Sequence, residues 1–313
     1  MSRQLHITNG EALTNYLNAE AICKGKILTW QEMLCEGPTI AHIDSDLFFE
    51  KRVPFFKETY DINYNIDELK PELEKLNRVA DYDEIILWFE YDLFCHINMI
   101  GVISLIHQRE IKKPIYLVCS GRIKGEKSLK GLSELSVPQL KKHYQNRIRL
   151  TQEDVDLAVA LWRTYCGKDH RIFKPYITTT SSFPYLSNCI KAHVERFPNQ
   201  ISGLNALEYN ILKIIYKEDI KSKHHLLGYV LHYQGFYGYG DLQLMRMIEK
   251  LNLFYDEING GIMLNENGKL ALNKEKYFSS EMRNDMTYGG VSHNDYVFDE
   301  VTNQLLLKSD DKS

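Results

Sequence analysis

The sequence lacks any apolar run near the roughly 20 residues that a membrane-crossing helix requires. The longest stretch that raises the question, residues 97–106, is about half that length and predicts a core helix. Its six cysteines (Cys23, Cys35, Cys95, Cys119, Cys166 and Cys189) form no C-x-x-C pair, which removes zinc-ribbon and thioredoxin-type readings and predicts reduced thiols. There is no P-loop, no G-x-G-x-x-G and no nucleophile elbow, so no single motif names a reaction. Charge of one sign is also missing: 38 basic residues against 42 acidic ones leave a net charge of -4, and the whole-chain field selects neither nucleic acid nor a membrane surface. No basic and apolar leader precedes the first strand-like segment near Gln4. The expectation is therefore a cytoplasmic protein with no membrane partner.

What the sequence does have is enough apolar material, 44% of its 313 residues, to bury a substantial core. Over the first 120 residues, short apolar runs (4–8, 27–30, 84–89 and 115–119) alternate with amphipathic segments, the rhythm of parallel strands joined by crossover helices. Within the more polar residues 57–83, Leu69-x-x-Glu-Leu-x-x-Leu has helical spacing. Strand signals then nearly vanish. Residues 151–166, 183–196 and 205–216 repeat apolar positions at i, i+3 and i+4, and Thr151-Gln-Glu-Asp154 is a capping-box start. The order in residues 203–272 is two helices, a third over 241–251, then a hairpin turning at Asn259-Gly-Gly, as in a winged helix.

The expected architecture is α/β: a parallel Rossmann-like or flavodoxin-like sheet in residues 1–150, a helical connection in 151–202, a winged-helix-like module in 203–275 and an extension in 276–313. The polar residues beyond 309 are expected to be disordered.

Chemistry is sought at the carboxyl ends of the strands, where open α/β sheets bind ligands. Glu84-Ile-Ile-Leu-Trp-Phe-Glu90-Tyr-Asp92 is a buried-strand pattern that stops at two acids just before a helix. Glu90 and Asp92 are candidate catalytic residues, as general acid and base or as oxygen ligands compatible with a divalent metal, although no metal ligand set is assigned. The structural alternative makes Asp92 a helix cap and pairs Glu90 with an arginine. Glu36, held by the rigid Gly37-Pro38 turn, is expected to support the pair. His96 lies on the same helical face as Asp92, either as its partner or as a buried, hydrogen-bonded core histidine.

Asn9, Gly10, Glu11 and Trp30 are candidate ligand-binding residues, with Gly10 either presenting helix amides or serving a plain strand-to-helix turn. Residues 120–150 hold eight Lys/Arg against two acids. Either that loop is simply solvated or Arg122, nearest the strand end, holds a small anionic ligand such as a phosphate.

Residues 203–270 carry seven Lys/Arg against eight Asp/Glu, so nucleic acid is not the favoured partner of the module. The aromatic and glycine-rich cluster Tyr233-Gln-Gly-Phe-Tyr-Gly-Tyr-Gly-Asp241 could stack bases, but with no basic surround it is expected to pack against the first domain. His224, His225 and His232 lack a cysteine or carboxylate at metal spacing.

Several stretches resemble one family: Leu5-His-Ile-Thr-Asn-Gly-Glu11, Ile27-Leu-Thr-Trp-Gln-Glu-Met-Leu-Cys-Glu-Gly-Pro38, Glu84-Ile-Ile-Leu-Trp-Phe-Glu-Tyr-Asp-Leu-Phe-Cys95 and Gly131-Leu-Ser-Glu-Leu135. Together they are similar to the uncharacterised bacterial family called domain of unknown function 1835. Gly203-Leu-Asn-Ala-Leu-Glu208 and Tyr239-Gly-Asp241 resemble the helical region that often follows it. Glu11 and His96 depart from the family pattern, which has Asp and Gln there. The resemblance implies no established activity. The residues lead to two expectations: a hydrolase or transferase acting on a nucleotide or other phosphate-bearing ligand at the sheet edge, or a non-catalytic ligand-sensing regulator whose C-terminal module binds a protein or nucleic acid.

Overall fold

The computed structural model describes residues 3–258, 260–282 and 284–308. Asn259 of the Asn259-Gly-Gly turn and the tail from residue 309 onward lie outside the described residues.

The chain is α/β and is organised on a five-stranded sheet in the order β2-β1-β3-β4-β5, where β1 is Gln4–Asn9, β2 Lys26–Trp30, β3 Glu84–Phe89, β4 Ile115–Cys119 and β5 Ile148–Arg149. The first four run parallel, and β5 pairs antiparallel with β4 through Tyr116 and Arg149. β5 has only two residues, too few to leave an alternating pattern, so it was not legible in the sequence. Asn9 pairs with Trp30 and Thr8 with Trp88, so β1, β2 and β3 end side by side.

The near-continuous apolar runs of β1 and β3 follow from burial on both faces. Ile85, Leu87 and Phe89 enter one core cluster and Ile86 and Trp88 the other, with the period of two that a strand imposes. Helices α1 (Glu11–Ala19) and α5 (Val137–Gln145) cover the second face with Leu13, Leu17 and Leu140. Helix α3 (Ile66–Asn77) brings Leu69, Leu73 and Leu76 to the first face, as its spacing predicts. Helix α4 (Leu93–Gln108) is apolar all round because it lies between the sheet and the helix Gln152–Cys166, and it is buried from Cys95 through Ile106. Among the described residues, no helix is long and apolar enough to cross a membrane.

Thr151 caps the helix Gln152–Cys166 reciprocally with Asp154: Thr151 Oγ1 accepts from the Asp154 amide at 3.2 Å, and Asp154 Oδ2 accepts from the Thr151 amide at 2.9 Å. Farther on, the helices Ala206–Lys217, Lys223–Tyr233 and Asp241–Lys250 precede the antiparallel strands Tyr255–Ile258 and Gly261–Leu264. The chain then returns to the first domain, where Thr287–Gly289 pairs in parallel with Gly37–Pro38.

Candidate functional site

The path from β1 through α1 to β2 runs to one side, and the return to β3 crosses β1 to the other. The strand order therefore reverses between β1 and β3, where a crevice opens at the carboxyl edge of an open α/β sheet. Asn9 ends β1, and Glu90 and Asp92 follow β3. One carboxylate oxygen each from Glu90 and Asp92 and the Cys95 sulfur all lie within 4.8 Å of one another.

Each of these side chains has a local reason to be where it is. Asp92 is the N-cap of α4, and its Oδ1 accepts from the Cys95 amide at 2.8 Å, so the capping role expected of it is present. Glu90 has no arginine partner among the described residues; its Oε1 accepts from the Leu132 amide at 2.6 Å. No ion pair engages either carboxylate among the described residues. Burial and the neighbouring Asp92 charge push the Glu90 carboxyl up to about 7, against the Leu132 and Ser133 amides that favour its ionised form. Burial pushes Asp92 up to about 6, opposed by the Cys95 amide.

Two glycines make room for the pair. A Cβ on Gly131 would stand 2.8 Å from Glu90 Oε2, and one on Gly238 would stand 2.2 Å from Asp92 Cγ. Gly238 belongs to the aromatic and glycine-rich loop, which packs on the start of α4 and on Tyr91. The amides of Leu93 and Phe94 donate to the carbonyls of Phe236 and Tyr237 at 2.7 and 3.2 Å, and Phe236 packs edge-on against Tyr91. The C-terminal module thus closes one side of the acid pair and satisfies orphan amides of α4.

A groove of about 380 Å³ has Asn9, Gly10, Glu11, Trp30, Glu32 and Phe94 among its lining residues. Four of the sequence-predicted ligand residues therefore meet in one place. Gly10 adopts φ +99° at the start of α1, with no side chain capping that helix and open space where a Cβ would point. Asn9 links groove and acids: its Nδ2 donates to Cys95 Sγ at 3.0 Å and its Oδ1 accepts from Asn98 at 2.8 Å. Glu11 is exposed and accepts from Gln31 at 2.7 Å. Trp30 is buried, and its indole nitrogen has no hydrogen-bond partner among the described residues.

The expectation for Glu36 is corrected. It is fully buried away from the pair, held by Arg246 at 2.6 Å, Tyr60 at 2.7 Å and Gln243 at 2.9 Å. The tryptophan-to-proline segment is a structural loop. Arg52, fully buried, pairs with Glu32 at 2.9 Å and donates to the carbonyls of Met33 at 2.9 Å and Glu36 at 2.8 Å. His96 does not partner the Asp92 carboxylate; its Nδ1 donates to the Asp92 backbone carbonyl at 2.9 Å, and burial lowers its pKa to about 4. Arg122 sits beyond β4 on an exposed two-residue strand, its guanidinium without an ion-pair partner among the described residues, while its amide donates to the Tyr185 hydroxyl at 2.8 Å. Among the described residues, no contact brings that guanidinium to the acids.

Sequence reasoning missed Cys95 and Asn98. Cys95 stands three residues after Asp92, one helical turn on, and that spacing was the signal available. Asn98 carries none, because its role is to tie together the Glu32 carbonyl and the Leu34 amide of one loop with Asn9 of another segment.

No protein-family model matches the chain, and no curated protein matches it. Among solved structures it is similar to the Plasmodium falciparum topoisomerase II DNA-binding, cleavage and re-ligation domain, with 13% identity, a TM-score of 0.48 and coverage of 80% of this chain and 42% of that one. The chain thus spans under half of that structure's length.

Proposed function

We propose that the protein is an enzyme, a hydrolase or transferase, that binds a nucleotide or other phosphate-bearing ligand in the groove over Asn9, Gly10 and Trp30 and transforms it at Glu90 and Asp92. The observation that carries this reading is the joining of the two regions by Asn9, which lines the groove and hydrogen-bonds the cysteine beside both acids. A buried and a half-buried carboxylate with no cationic side chain paired to them among the described residues are costly to keep unless they act on something. At a strand-order reversal, their chemistry is either proton transfer or cation coordination, and both serve phosphoryl and hydrolytic reactions. The uncapped first turn of α1, opening at Gly10, offers amides to an anion.

The strand order 2-1-3-4-5 supports the flavodoxin-like form of the fold, and the order helix, helix, helix, hairpin supports a winged-helix-like module. Membership of the domain of unknown function 1835 family and a cytoplasmic location belong to the same proposal, on the motifs and the free thiols respectively.

A second reading, the ligand-sensing regulator, has its own support in the module's loop that caps α4 beside Asp92. Against nucleic acid as that regulator's target, Arg246 and Lys250 of the third helix are both engaged in ion pairs, Arg246 with Glu36 and Asp285 and Lys250 with Asp285.

A thermal-shift series with nucleotides, sugar phosphates and inorganic phosphate tests the enzyme reading on the native chain and on Glu90→Gln with Asp92→Asn. Stabilisation of the native chain alone supports a site at these acids. No shift with any of them, in a double variant as stable as the native chain, sinks it.

A further inference from the structure

We propose that Glu90, Asp92 and Cys95 form a site for one thiophilic divalent cation of the zinc class. The inference deepens the enzyme reading by assigning the acid pair to cation coordination.

The donor set comes from one short segment, Glu90-x-Asp92-x-x-Cys95, in which the end of β3 supplies one oxygen and the first turn of α4 supplies an oxygen and a sulfur. The three donor atoms lie within 4.8 Å of one another. Around a tetrahedral zinc ion, with Zn–S near 2.3 Å and Zn–O near 2.0–2.2 Å, donor atoms stand roughly 3.3–3.7 Å apart. The cluster therefore needs to contract by no more than about 1.5 Å.

Independent features point the same way. Asp92 is 7% exposed, and the hydrogen bonds to its carboxylate come from its own turn, from Cys95 and from its own amide. No basic side chain neutralises either acid among the described residues, so the negative charge they carry when ionised is left for a cation to balance. Asn9 donates to the Cys95 sulfur, the kind of outer hydrogen bond that orients a ligating thiolate and stabilises its charge. The sulfur selects against magnesium and calcium, which take all-oxygen sites, and favours zinc or cobalt.

Binding is balanced by proton release. The Cys95 S–H bond breaks, a sulfur–metal bond forms, and the proton leaves to solvent, with no change of oxidation state. Three protein ligands leave a tetrahedral ion one position for an exogenous oxygen, the form of a catalytic rather than a structural zinc centre.

The test is titration of the reduced, untagged, full-length chain with Co²⁺, read by thiolate-to-cobalt charge-transfer absorption in the near ultraviolet and by displacement with Zn²⁺. One equivalent of Co²⁺ should produce the band, and Zn²⁺ should abolish it. Cys95→Ser should lose the band, Cys119→Ser and Cys189→Ser should keep it, and Glu90→Gln should weaken Co²⁺ binding at least tenfold while circular dichroism stays native. A band that survives Cys95→Ser, or a native chain that produces none, overturns the proposal. A chain that binds Co²⁺ through Cys95 but is stabilised by no phosphate ligand refutes the enzyme reading alone. One stabilised by a phosphate ligand without the cobalt band refutes only the metal.

Discussion

The Arg246 guanidinium lies 2.6 Å from the Glu36 carboxylate, an ion pair whose acid is wholly buried and whose base comes from the third helix of the C-terminal module. It anchors that module to the loop following β2, and Gln243 on the same helix reinforces it at 2.9 Å. Removing one partner of such a pair leaves an uncompensated buried charge. Arg246→Met should therefore destabilise the chain by about 3–5 kcal/mol, and Glu36→Gln, which removes the buried charge and leaves Arg246 paired with Asp285, by less. Urea unfolding of both single variants and the double variant checks this; equal costs for the two single changes would count against the anchor.

The glycines that flank the acids separate space from backbone strain. Gly238 has φ +68°, and a Cβ there would meet Asp92 Cγ at 2.2 Å, so Gly238→Ala should cost about 2–3 kcal/mol by adding strain to a clash. Gly131 has no such φ, and its Cβ would meet the tip of Glu90 at 2.8 Å, which can swing aside. Gly131→Ala should leave the melting temperature nearly unchanged while reducing Co²⁺ affinity, and thermal denaturation with cobalt titration distinguishes the two effects.

His6 predicts the direction of acid sensitivity. Trp88 Nε1 donates to its Nδ1 at 3.1 Å, its Nε2–H donates to the Lys24 carbonyl at 3.2 Å, and burial pulls its pKa from 6.5 to about 4. The charged neighbours Glu84 and Arg147 act in opposite senses. Between pH 6.5 and about 4 the unfolded chain takes up a proton that the folded chain refuses, so stability is lost as pH falls through that window, by roughly 3 kcal/mol for this residue. Burial holds His96, His170 and His293 near 4 as well and adds to the loss. Unfolding free energies measured at pH 7, 5 and 4 should show a shallower decline in His6→Gln than in the native chain; parallel declines would refute the assignment.

Asn98 ties the loop after β2 to the end of β1, so Asn98→Leu, close in volume, strands the Leu34 amide and the Glu32 carbonyl in the interior. The expected loss is about 2–4 kcal/mol, together with a displaced Asn9 and weaker cobalt binding. A variant as stable as the native chain would mean that water replaces the amide.

The parallel strands, the capping box at Thr151 and the acids at the end of β3 were legible because each is a local matter. A two-sided apolar run must be buried, a hydroxyl with an acid three residues on must cap, and an acid pair before a helix must stand at a strand end. The placement of Asn9, Gly10, Glu11 and Trp30 in one groove followed from the same logic, since parallel strands of matched register end together.

What the chain could not reveal by itself was which acids had partners. Glu36 and Glu90 look alike in sequence, each beside a turn after a strand, yet Glu36 finds Arg246 some 210 positions away and Glu90 finds a backbone amide. Pairing of a buried charge depends on what long-range packing brings within a few ångströms, and no local pattern encodes it. The tertiary structure alone decided that Glu36 is an anchor, that Cys95 joins Glu90 and Asp92, and that a loop of the C-terminal module closes over them.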